Sequence, residues 1–309
     1  MDKLNEPLKV CIAICTLARV DDLLNLLGCL DQARLTCTTA NVVEFLVVDN
    51  DSTESARVPI QQLHRTGLVP IRYVNEPARG LTSARNRALQ ESTTVDLIAF
   101  LDDDETIEIN WFPELVETLV ATNSNFVIGP VRPVFPAHAP PIYKKSGLFH
   151  RVEFPNRHVL ATGNTGNCCI DLRWLRSSNI RFRAQFNLSG GEDAAFFAEM
   201  TKAGAVGRFA ARAIAYEPVS KERLSVFWLM RRRMRVGANT VAQRITLDHL
   251  GFAGRLWCAG VGAARFLSGI FLASVLIAFS PHRALKYAAA AARGVGFITG
   301  AFGINIRGY

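Results

Sequence analysis

The sequence predicts an α/β fold built around a mostly parallel sheet with helices on both faces. Predicted strands alternate with predicted helices along the first 132 residues, and the strands are continuous apolar runs. A strand covered on both faces forms an unbroken apolar run, whereas a half-exposed strand alternates apolar and polar residues. The chain has 309 residues, 49% of them hydrophobic, which is enough for a sizeable core.

Short apolar runs that end in polar residues are the predicted strands of this sheet. They cover residues 9–15, 42–48, 71–74, 95–101 and 125–131, and a further strand with an exit loop is predicted over residues 206–219. Helices are predicted over residues 21–34, 80–91 and 113–121, with Asp21 as the N-cap of the first. Residues 133–159, rich in Pro and His, are predicted to be irregular.

Charge is spread unevenly along the chain. The net charge is +8, but residues 221–309 contain 13 Lys and Arg against two acids, which leaves −3 for the first 220 residues. A basic and apolar C-terminal part favours an anionic membrane surface over nucleic acid as a partner. Seven Cys without paired spacing and an N-terminus without an apolar signal region favour a reducing, cytoplasmic compartment.

Four adjacent acids, residues 102–105, follow the fourth predicted strand. Two carboxylates at positions i and i+2 can hold one hard divalent ion, and a nucleotide diphosphate can supply further ligands. Thr16 and residues 49–52 end neighbouring strands, and the carboxyl ends of parallel strands meet at one edge of a sheet. We therefore expect these side chains to converge, although a solvated acidic turn is an alternative for residues 102–105.

The other polar motifs also have structural alternatives. Ser52 or Thr53 could cap a helix. The Gly190-Gly191-Glu192-Asp193 turn could supply a general base or a helix cap. Arg85 could bind a diphosphate or lie on the surface, and the basic cluster of residues 231–235 could bind phosphate or rest on anionic lipid.

Taken together and in this order, the motifs resemble the family 2 inverting glycosyltransferases of the GT-A fold, over roughly residues 8–245. The matching segments are "VCIAICTLAR", "FLVVDNDSTE", "GLTSARNRAL", "AFLDDDETI", "GGED", "YEPV" and "RRRMRVG". The segments "FLDDDE", "GPVRP", "GGED" and "EPV" are most similar to bacterial exopolysaccharide glucosyltransferases of the succinoglycan-assembly type.

The resemblance implies a role for each matched position. It implies uridine contacts by Thr16 and Asp49, and ribose or sugar contacts by Asp102 or Asp103. It implies a metal ion bound by Asp104 with Asp102, and a general base at Asp193. Diphosphate or acceptor-phosphate contacts are implied for Arg85 and for Arg232 of the basic cluster. Two positions depart from the family pattern, because Asn50 replaces a common second acid and Tyr216 replaces a common His.

The resemblance also implies the cofactor and partners. These are a divalent cation, Mn²⁺ or Mg²⁺, a UDP-sugar donor with glucose as the expected sugar, and a polyprenyl-diphosphate-linked saccharide acceptor at the cytoplasmic face of a bacterial inner membrane. No nucleic-acid partner is expected, and the oligomeric state is left open.

The C-terminal part is predicted to associate with a membrane. Residues 266–282 form a 17-residue stretch without Lys, Arg, Asp or Glu, and residues 287–302 form a second apolar stretch. A helical pair in the interface, membrane-spanning helices and a soluble packing tail all remain open. The predicted division is a nucleotide-sugar-binding half over residues 1–132, an acceptor-binding and catalytic half of the same GT-A domain over 133–249, and this tail over 250–309.

Three other functions compete with sugar transfer. The "DDDET" segment also fits a haloacid-dehalogenase-like phosphatase, with Asp102 as nucleophile and Asp104 as acid/base, although that motif should end the first strand. A nucleotidyltransferase would also use paired carboxylates. A non-catalytic membrane-associated sugar-nucleotide-binding protein would keep the fold without the chemistry.

Overall fold

A computed structural model describes residues 6–63, 67, 69–187, 190–304 and 306 of the chain. The chain divides into two compact units. The first comprises Met1–Arg132, Arg151–Asn187 and Glu192–Glu217, and the second comprises Pro133–His150, Leu188–Gly191 and Pro218–Tyr309. Each unit contains buried hydrophobic clusters of its own.

Strands and helices of the described residues are numbered in chain order. The strands are β1 (Leu8–Thr16), β2 (Ala40–Asp49), β3 (Ile71–Asn75), β4 (Leu97–Asp102), β5 (Thr106–Ile107), β6 (Phe126–Ile128), β7 (Val131–Val134), β8 (Val159–Leu160), β9 (Asn167–Asp171), β10 (Gly207–Phe209) and β11 (Ala215–Pro218). The helices are α1 (Val20–Gln32), α2 (Arg57–Gln62), α3 (Leu81–Glu91), α4 (Trp111–Ala121), α5 (Pro141–Ser146), α6 (Leu172–Ser178), α7 (Glu192–Lys202), α8 (Val226–Leu247), α9 (Phe252–Leu276) and α10 (Pro281–Ala301).

An eight-stranded sheet of the order β3-β2-β1-β4-β9-β6-β10-β8 organises the described part of the first unit. Strands β1 to β4 are parallel to one another, whereas β9 runs antiparallel between β4 and β6. A smaller sheet has the order β5-β11-β7. The predicted α/β fold with a mostly parallel sheet flanked by helices is therefore confirmed.

The core explains why β1 has no polar alternation. Val10, Ile12 and Ile14 point to the face that carries α1 and α4, while Cys11 and Ala13 point to the opposite face. Successive side chains of a strand lie on opposite faces, so both sets must be apolar when both faces are covered. Full burial of a side chain such as Ile or Leu contributes about 1.5–3 kcal/mol to folding.

Some predicted boundaries are wrong. α1 begins at Val20 after Arg19, so Asp21 lies inside the first turn and is not the N-cap. α2 begins at Arg57, which excludes Ser52 and Thr53 as its N-cap.

Two segments that were each predicted to contain one strand contain two. Residues 125–131 and 206–219 each contain two strand segments: β6 is followed by the start of β7, and β10 is followed by β11. In the first case Gly129 and Pro130 interrupt the strand, since Pro has no N–H for the sheet. The region expected to be irregular contains α5.

The first unit and the predicted nucleotide-sugar-binding half share the boundary at Arg132, but the first unit also contains later segments, and the functional division stays a prediction. β9 and β10 follow residue 133 in sequence but belong to the first unit, because β9 pairs with β4 and β10 pairs with β6 in the large sheet. Strand pairing between distant segments thus places much of the predicted second half in the first unit.

The second unit is dominated by its long C-terminal helices. α10 packs along both α8 and α9. Glycines allow this close approach: a Cβ on Gly262 of α9 would lie 2.6 Å from the Gly294 carbonyl oxygen of α10. Of the helices within the described residues, α9 is the one that is long and apolar enough to cross a membrane.

We expect Gly296→Ala in α10 to destabilise the protein by about 1–3 kcal/mol, the usual cost of overpacking. The added Cβ would collide with the Met234 carbonyl oxygen of α8 and lie 2.9 Å from the Ala238 nitrogen. Urea denaturation of the full chain measures this cost. Gly260→Ala in α9 is the matched control, because its Cβ would meet nothing within 4 Å and Ala is favoured over Gly in helices by about 1 kcal/mol. Equal stability of Gly296→Ala and wild type would contradict the close packing.

Candidate active site

Parallel pairing brings the ends of β1, β2 and β4 to one edge of the sheet. Thr16 is paired with Asp49, and Cys15 is paired with Asp102. Three residues that the sequence placed at the site therefore lie at nearly the same level of the sheet. Ligands of open α/β sheets bind beyond this carboxyl edge.

Two of the four adjacent acids face the segment that follows β1. Asp103 Oδ2 accepts a hydrogen bond from Thr16 Oγ1 at 2.8 Å, and Asp103 Oδ1 lies 3.0 Å from Arg19 Nη1. The same Arg19 nitrogen lies 3.1 Å from Asp104 Oδ2. Thr16 and Asp103 are buried, so in this structure they join β1 to the acidic turn. Their contacts with a nucleotide stay a prediction.

The other two acids lie against Gly166. A Cβ on Gly166 would lie 2.8 Å from Asp102 Oδ2 and 2.9 Å from Glu105 Oε1, so a larger residue would displace the carboxylates. Glu105 Oε2 accepts a hydrogen bond from the Asp102 backbone nitrogen at 3.3 Å. Glu105 Oε1 is buried and has no hydrogen-bond partner among the described residues. Residues 102–105 are therefore not a solvated turn.

Burial and mutual repulsion raise the pKa values of two carboxyl groups in this acidic turn above those of ordinary carboxyl groups. Burial, and then the charges of Asp102 and Glu217, raise the pKa of Asp104 to about 6. Burial and the charge of Asp102 raise the pKa of Glu105 well above its usual value. The local negative charge is thus only partly compensated by the neighbouring cations, and an added cation would be favoured here.

Asp102 and Asp104 fit a divalent cation by their chemistry. Carboxylate oxygens are the ligands that Mg²⁺ and Mn²⁺ accept. The raised pKa of Asp104 reflects burial first and then repulsion by Asp102 and Glu217, and a cation would offset both effects. No group of three or more His, Cys, Asp or Glu side chains in the described residues could hold a metal ion. A cation on Asp102 and Asp104 would then take its remaining ligands from a diphosphate and water. Metal binding stays a prediction.

Arg85 joins the acidic turn to the start of α7. Its guanidinium is buried and lies 2.6 Å from Glu192 Oε1 and 3.5 Å from Asp102 Oδ1. The alternative of a surface arginine is therefore wrong. The predicted contact between Arg85 and a diphosphate stays a prediction, since the structure gives this side chain two carboxylate partners.

Asp193 has the electrostatics of a general base. Burial, and then the charge of Glu192, raise its pKa to about 6, while Arg85 and Arg151 oppose the rise. A carboxyl group with a pKa close to neutrality exchanges protons efficiently near pH 7. The preceding Gly190 and Gly191 have φ angles of 78° and 83°, in the left-handed region that favours glycine.

Arg151 is a site residue that the sequence did not reveal. Arg151 Nη1 donates to Asn164 Oδ1 at 2.7 Å, and Arg151 Nη2 donates to Glu217 Oε2 at 3.1 Å. Its charge also acts on Glu105, Asp102 and Asp193. Arg151 stands in the segment expected to be irregular, and its partners are 13 and 66 residues away, so no local pattern marks it.

The Asp49 carboxylate accepts hydrogen bonds from other residues of this chain. Its Oδ1 accepts a hydrogen bond from the Asp51 nitrogen, and its Oδ2 accepts from the Ala56 nitrogen and the Tyr73 hydroxyl, at 2.9–3.0 Å. The side chain is fully buried. Asp49 therefore shapes the loop after β2, and its contact with uridine stays a prediction.

Asn50 holds the loop that leads to α3. Its Nδ2 donates to the Glu76 and Ala78 carbonyl oxygens, and its Oδ1 accepts from the Gly80 nitrogen at 2.7 Å. An acid at this position could not donate to the two carbonyls. The departure from the family pattern at Asn50 is thus matched by a structural role.

Tyr216 and Glu217 extend in opposite directions from β11, as neighbouring strand residues do. The Tyr216 hydroxyl donates to Glu108 Oε1 at 2.5 Å, whereas Glu217 pairs with Arg151 beside the acidic turn. Arg232 lies in the second unit, where its guanidinium carbon is 5.1 Å from the centre of the Trp228 ring. The predicted contact of Arg232 with phosphate stays a prediction.

The mostly parallel sheet with an acidic turn at its carboxyl edge fits the class of GT-A glycosyltransferases, and comparisons with known proteins support that fold. The chain is 15% identical to Staphylococcus aureus TarS, solved with UDP-GlcNAc, with a TM-score of 0.52 over 92% of this chain and 90% of the other. It is 12% identical to GalNAc-T7, solved with UDP, GalNAc and Mn²⁺, with a TM-score of 0.55 over 79% of this chain and 51% of the other. At these identities the likeness shows the fold alone.

Sequence comparisons show the family. Residues 11–181 match the model of glycosyl transferase family 2. The chain is 32% identical over 308 residues to the succinoglycan biosynthesis protein ExoM of Rhizobium meliloti strain 1021, covering 97% of this chain and 95% of the relative. The chain therefore belongs to glycosyl transferase family 2, and it is a glycosyltransferase.

The rival functions are not favoured by these findings. The acidic motif ends β4, which has three other strands before it in sequence, and not the first strand that a haloacid-dehalogenase-like phosphatase requires. Neither a nucleotidyltransferase nor a non-catalytic binding protein is favoured by membership of a glycosyltransferase family.

We expect Asp104→Asn to raise the thermal unfolding temperature above about pH 6 and to have little effect near pH 4. The folded-state pKa of about 6 exceeds the ordinary value of 3.8, so ionising Asp104 as the pH rises between these values costs folding free energy. Asn removes that cost. Differential scanning calorimetry without metal at both pH values measures it. Glu199→Gln is the control, since Glu199 pairs with Arg183 at the surface. A stabilisation that is equal at both pH values would contradict the assigned repulsion.

Proposed function

We propose that this glycosyltransferase transfers glucose from UDP-glucose, with inversion, to a polyprenyl-diphosphate-linked saccharide in bacterial exopolysaccharide or cell-surface polysaccharide assembly. The observation that carries the proposal is the position of Asp193, a half-buried carboxyl group with a pKa raised to about 6, directly after Glu192, which Arg85 joins to Asp102. Arg85 connects the two, because it pairs with Asp102 and with Glu192, the neighbour of Asp193.

The donor would bind at the carboxyl edge of the sheet. The loops after β1, β2 and β4 meet there, with Thr16, Asp49 and Asp103 as the proposed contacts for the nucleoside. The folds of TarS, solved with UDP-GlcNAc, and GalNAc-T7, solved with UDP and Mn²⁺, support a UDP-sugar donor. Asp102 and Asp104 would hold a divalent cation, which when bound would offset charge on the diphosphate.

Asp193 would act on the acceptor. Its ionised carboxylate accepts the proton of an acceptor hydroxyl as that oxygen attacks the anomeric carbon from the face opposite UDP. One displacement converts an α-linked donor into a β-linked product. Arg85 and Arg151 keep part of the Asp193 population ionised near neutrality, because both cations oppose the rise of its pKa.

The lipid-linked acceptor is supported by the relative and by composition. The relative that is 32% identical is named a succinoglycan biosynthesis protein. The C-terminal part of this chain is both basic and apolar, which suits a membrane-bound acceptor at the cytoplasmic face of a bacterial inner membrane.

We expect Asp193→Asn to lower sugar transfer by about 10²–10⁴-fold, the usual contribution of a general base. For the wild type, the rate should rise with pH through about 6, because Asp193 must lose its proton to act. UDP release from UDP-glucose with a lipid-extract acceptor measures both effects.

Glu199→Gln serves again as the control, since it removes a surface carboxylate from the same helix. Full transfer by Asp193→Asn, or an α-linked product by NMR, would refute the proposed mechanism. A screen of other UDP-sugars in the same assay tests the choice of glucose.

We expect Mn²⁺ with UDP to raise the thermal unfolding temperature and EDTA to reverse the effect. Ligand at about 100 times its Kd stabilises a folded protein by about 2.7 kcal/mol. Asp104→Asn should lose the Mn²⁺-dependent part of this shift, because a cation ligand is removed.

Glu108→Gln is the matched control, since Glu108 accepts from Tyr216 and is not a proposed ligand. An unchanged Mn²⁺ response in Asp104→Asn would exclude this residue as a metal ligand without affecting the assignment of Asp193.

A further inference from the structure

One half of α9 presents large apolar side chains to solvent along the whole helix. Phe252, Trp257, Leu267 and Phe271 are between 67% and 75% exposed. At 100° per residue these positions lie within one half of the helix surface. No charged residue lies in that half. A contiguous apolar surface of this kind marks an interaction site in a folded protein.

The opposite half of α9 is already occupied by α10. Cys258, Gly262 and Gly269 are buried there. A Cβ on Gly269 would lie 2.8 Å from the Ala291 Cβ of α10. α10 also packs against α8, so much of α10 is buried inside the second unit. The two predicted apolar stretches therefore differ in exposure, because the outward half of α9 remains open to solvent.

The charges beside this surface identify its partner. After Asp248 the sequence has no Asp or Glu, while Arg255, Arg265, Arg283 and Lys286 lie on or just beyond α9. Lys and Arg near an anionic bilayer strengthen binding even where they lie outside the apolar face. An apolar face on a basic segment without acids is complementary to an anionic bilayer.

We propose that the outward half of α9 is a membrane-docking surface that lies in the plane of an anionic bilayer. Phe252, Trp257, Leu267 and Phe271 enter the headgroup–acyl boundary, and the cations outside the apolar half attract the anionic headgroups. This surface orients the glycosyltransferase on the membrane without a transmembrane segment.

If α9 spanned the bilayer, its cations would lie inside the membrane. If α9 lies in the plane of the membrane surface, these cations stay outside the hydrocarbon core. Arg265 is near the middle of the 25-residue α9, and its guanidinium carbon lies 4.8 Å from the centre of the Phe297 ring of α10. A spanning α9 would carry Arg265 to the bilayer centre, where a charged side chain is strongly unfavourable. Its packed partner α10 would bring Arg293 as well.

Vesicle flotation of the purified full chain tests the proposal. We expect the wild type to float with vesicles of phosphatidylcholine and phosphatidylglycerol, to bind pure phosphatidylcholine more weakly, and to be released by alkaline carbonate. The combined variant Trp257→Gln, Leu267→Gln and Phe271→Gln should lose binding by roughly tenfold or more, because apolar burial drives insertion.

A combined Val58→Gln, Val152→Gln and Val159→Gln variant is the matched control, since these apolar residues are 54–73% exposed in the first unit. It should bind vesicles like the wild type. Equal loss in both variants, or resistance to carbonate, would overturn in-plane docking by α9. So would a wild type that is dimeric together with a triple-Gln variant that is monomeric but still floats, because the face would then bind a second copy.

UDP release in the same samples separates this inference from the proposed function. A wild-type chain that transfers sugar but does not float overturns the docking surface alone. One that floats but shows no Asp193-dependent transfer overturns the proposed function alone.

Discussion

The concentration of carboxylates at the carboxyl edge of the parallel sheet is the constraint on which the rest of the site depends. Register places Asp102 beside Cys15, and burial then makes the ionisation of Asp104 and Glu105 unfavourable. Charges in a partly buried site must be compensated or neutralised. Arginines of the first unit compensate part of this charge, and Gly166 leaves room for the carboxylates of Asp102 and Glu105.

Three arginines compensate different parts of that charge, and each comes from a different segment. Arg19 follows β1 and contacts Asp103 and Asp104, Arg85 is on α3, and Arg151 pairs with Glu217. Each arginine therefore connects the acids to another element as well as neutralising them. The incomplete compensation costs stability and would favour an added cation, as the proposed metal site requires.

The second unit is organised by the close packing of its long C-terminal helices. Glycines bring α10 close to α8 and α9, which buries α10 and leaves the outward half of α9 without a covering element in the described structure. Apolar surface of that size is unfavourable in water but suitable for a bilayer. The proposed sugar transfer at the sheet edge and the proposed docking through α9 thus rest on different residues and can be tested by separate substitutions.

The sequence by itself determined the strands β1 to β4, the acidic turn after β4 and the position of Asp193 at the start of α7, because these depend on local apolar runs and turn residues. Family membership also followed from the order of these motifs. Tertiary structure alone decided the partners of Asp49 and Arg85, the inclusion of Arg151 and the different exposure of α9 and α10. These depend on contacts between residues far apart in the chain, such as Arg85 with Glu192, 107 positions apart, and no local pattern encodes such pairs.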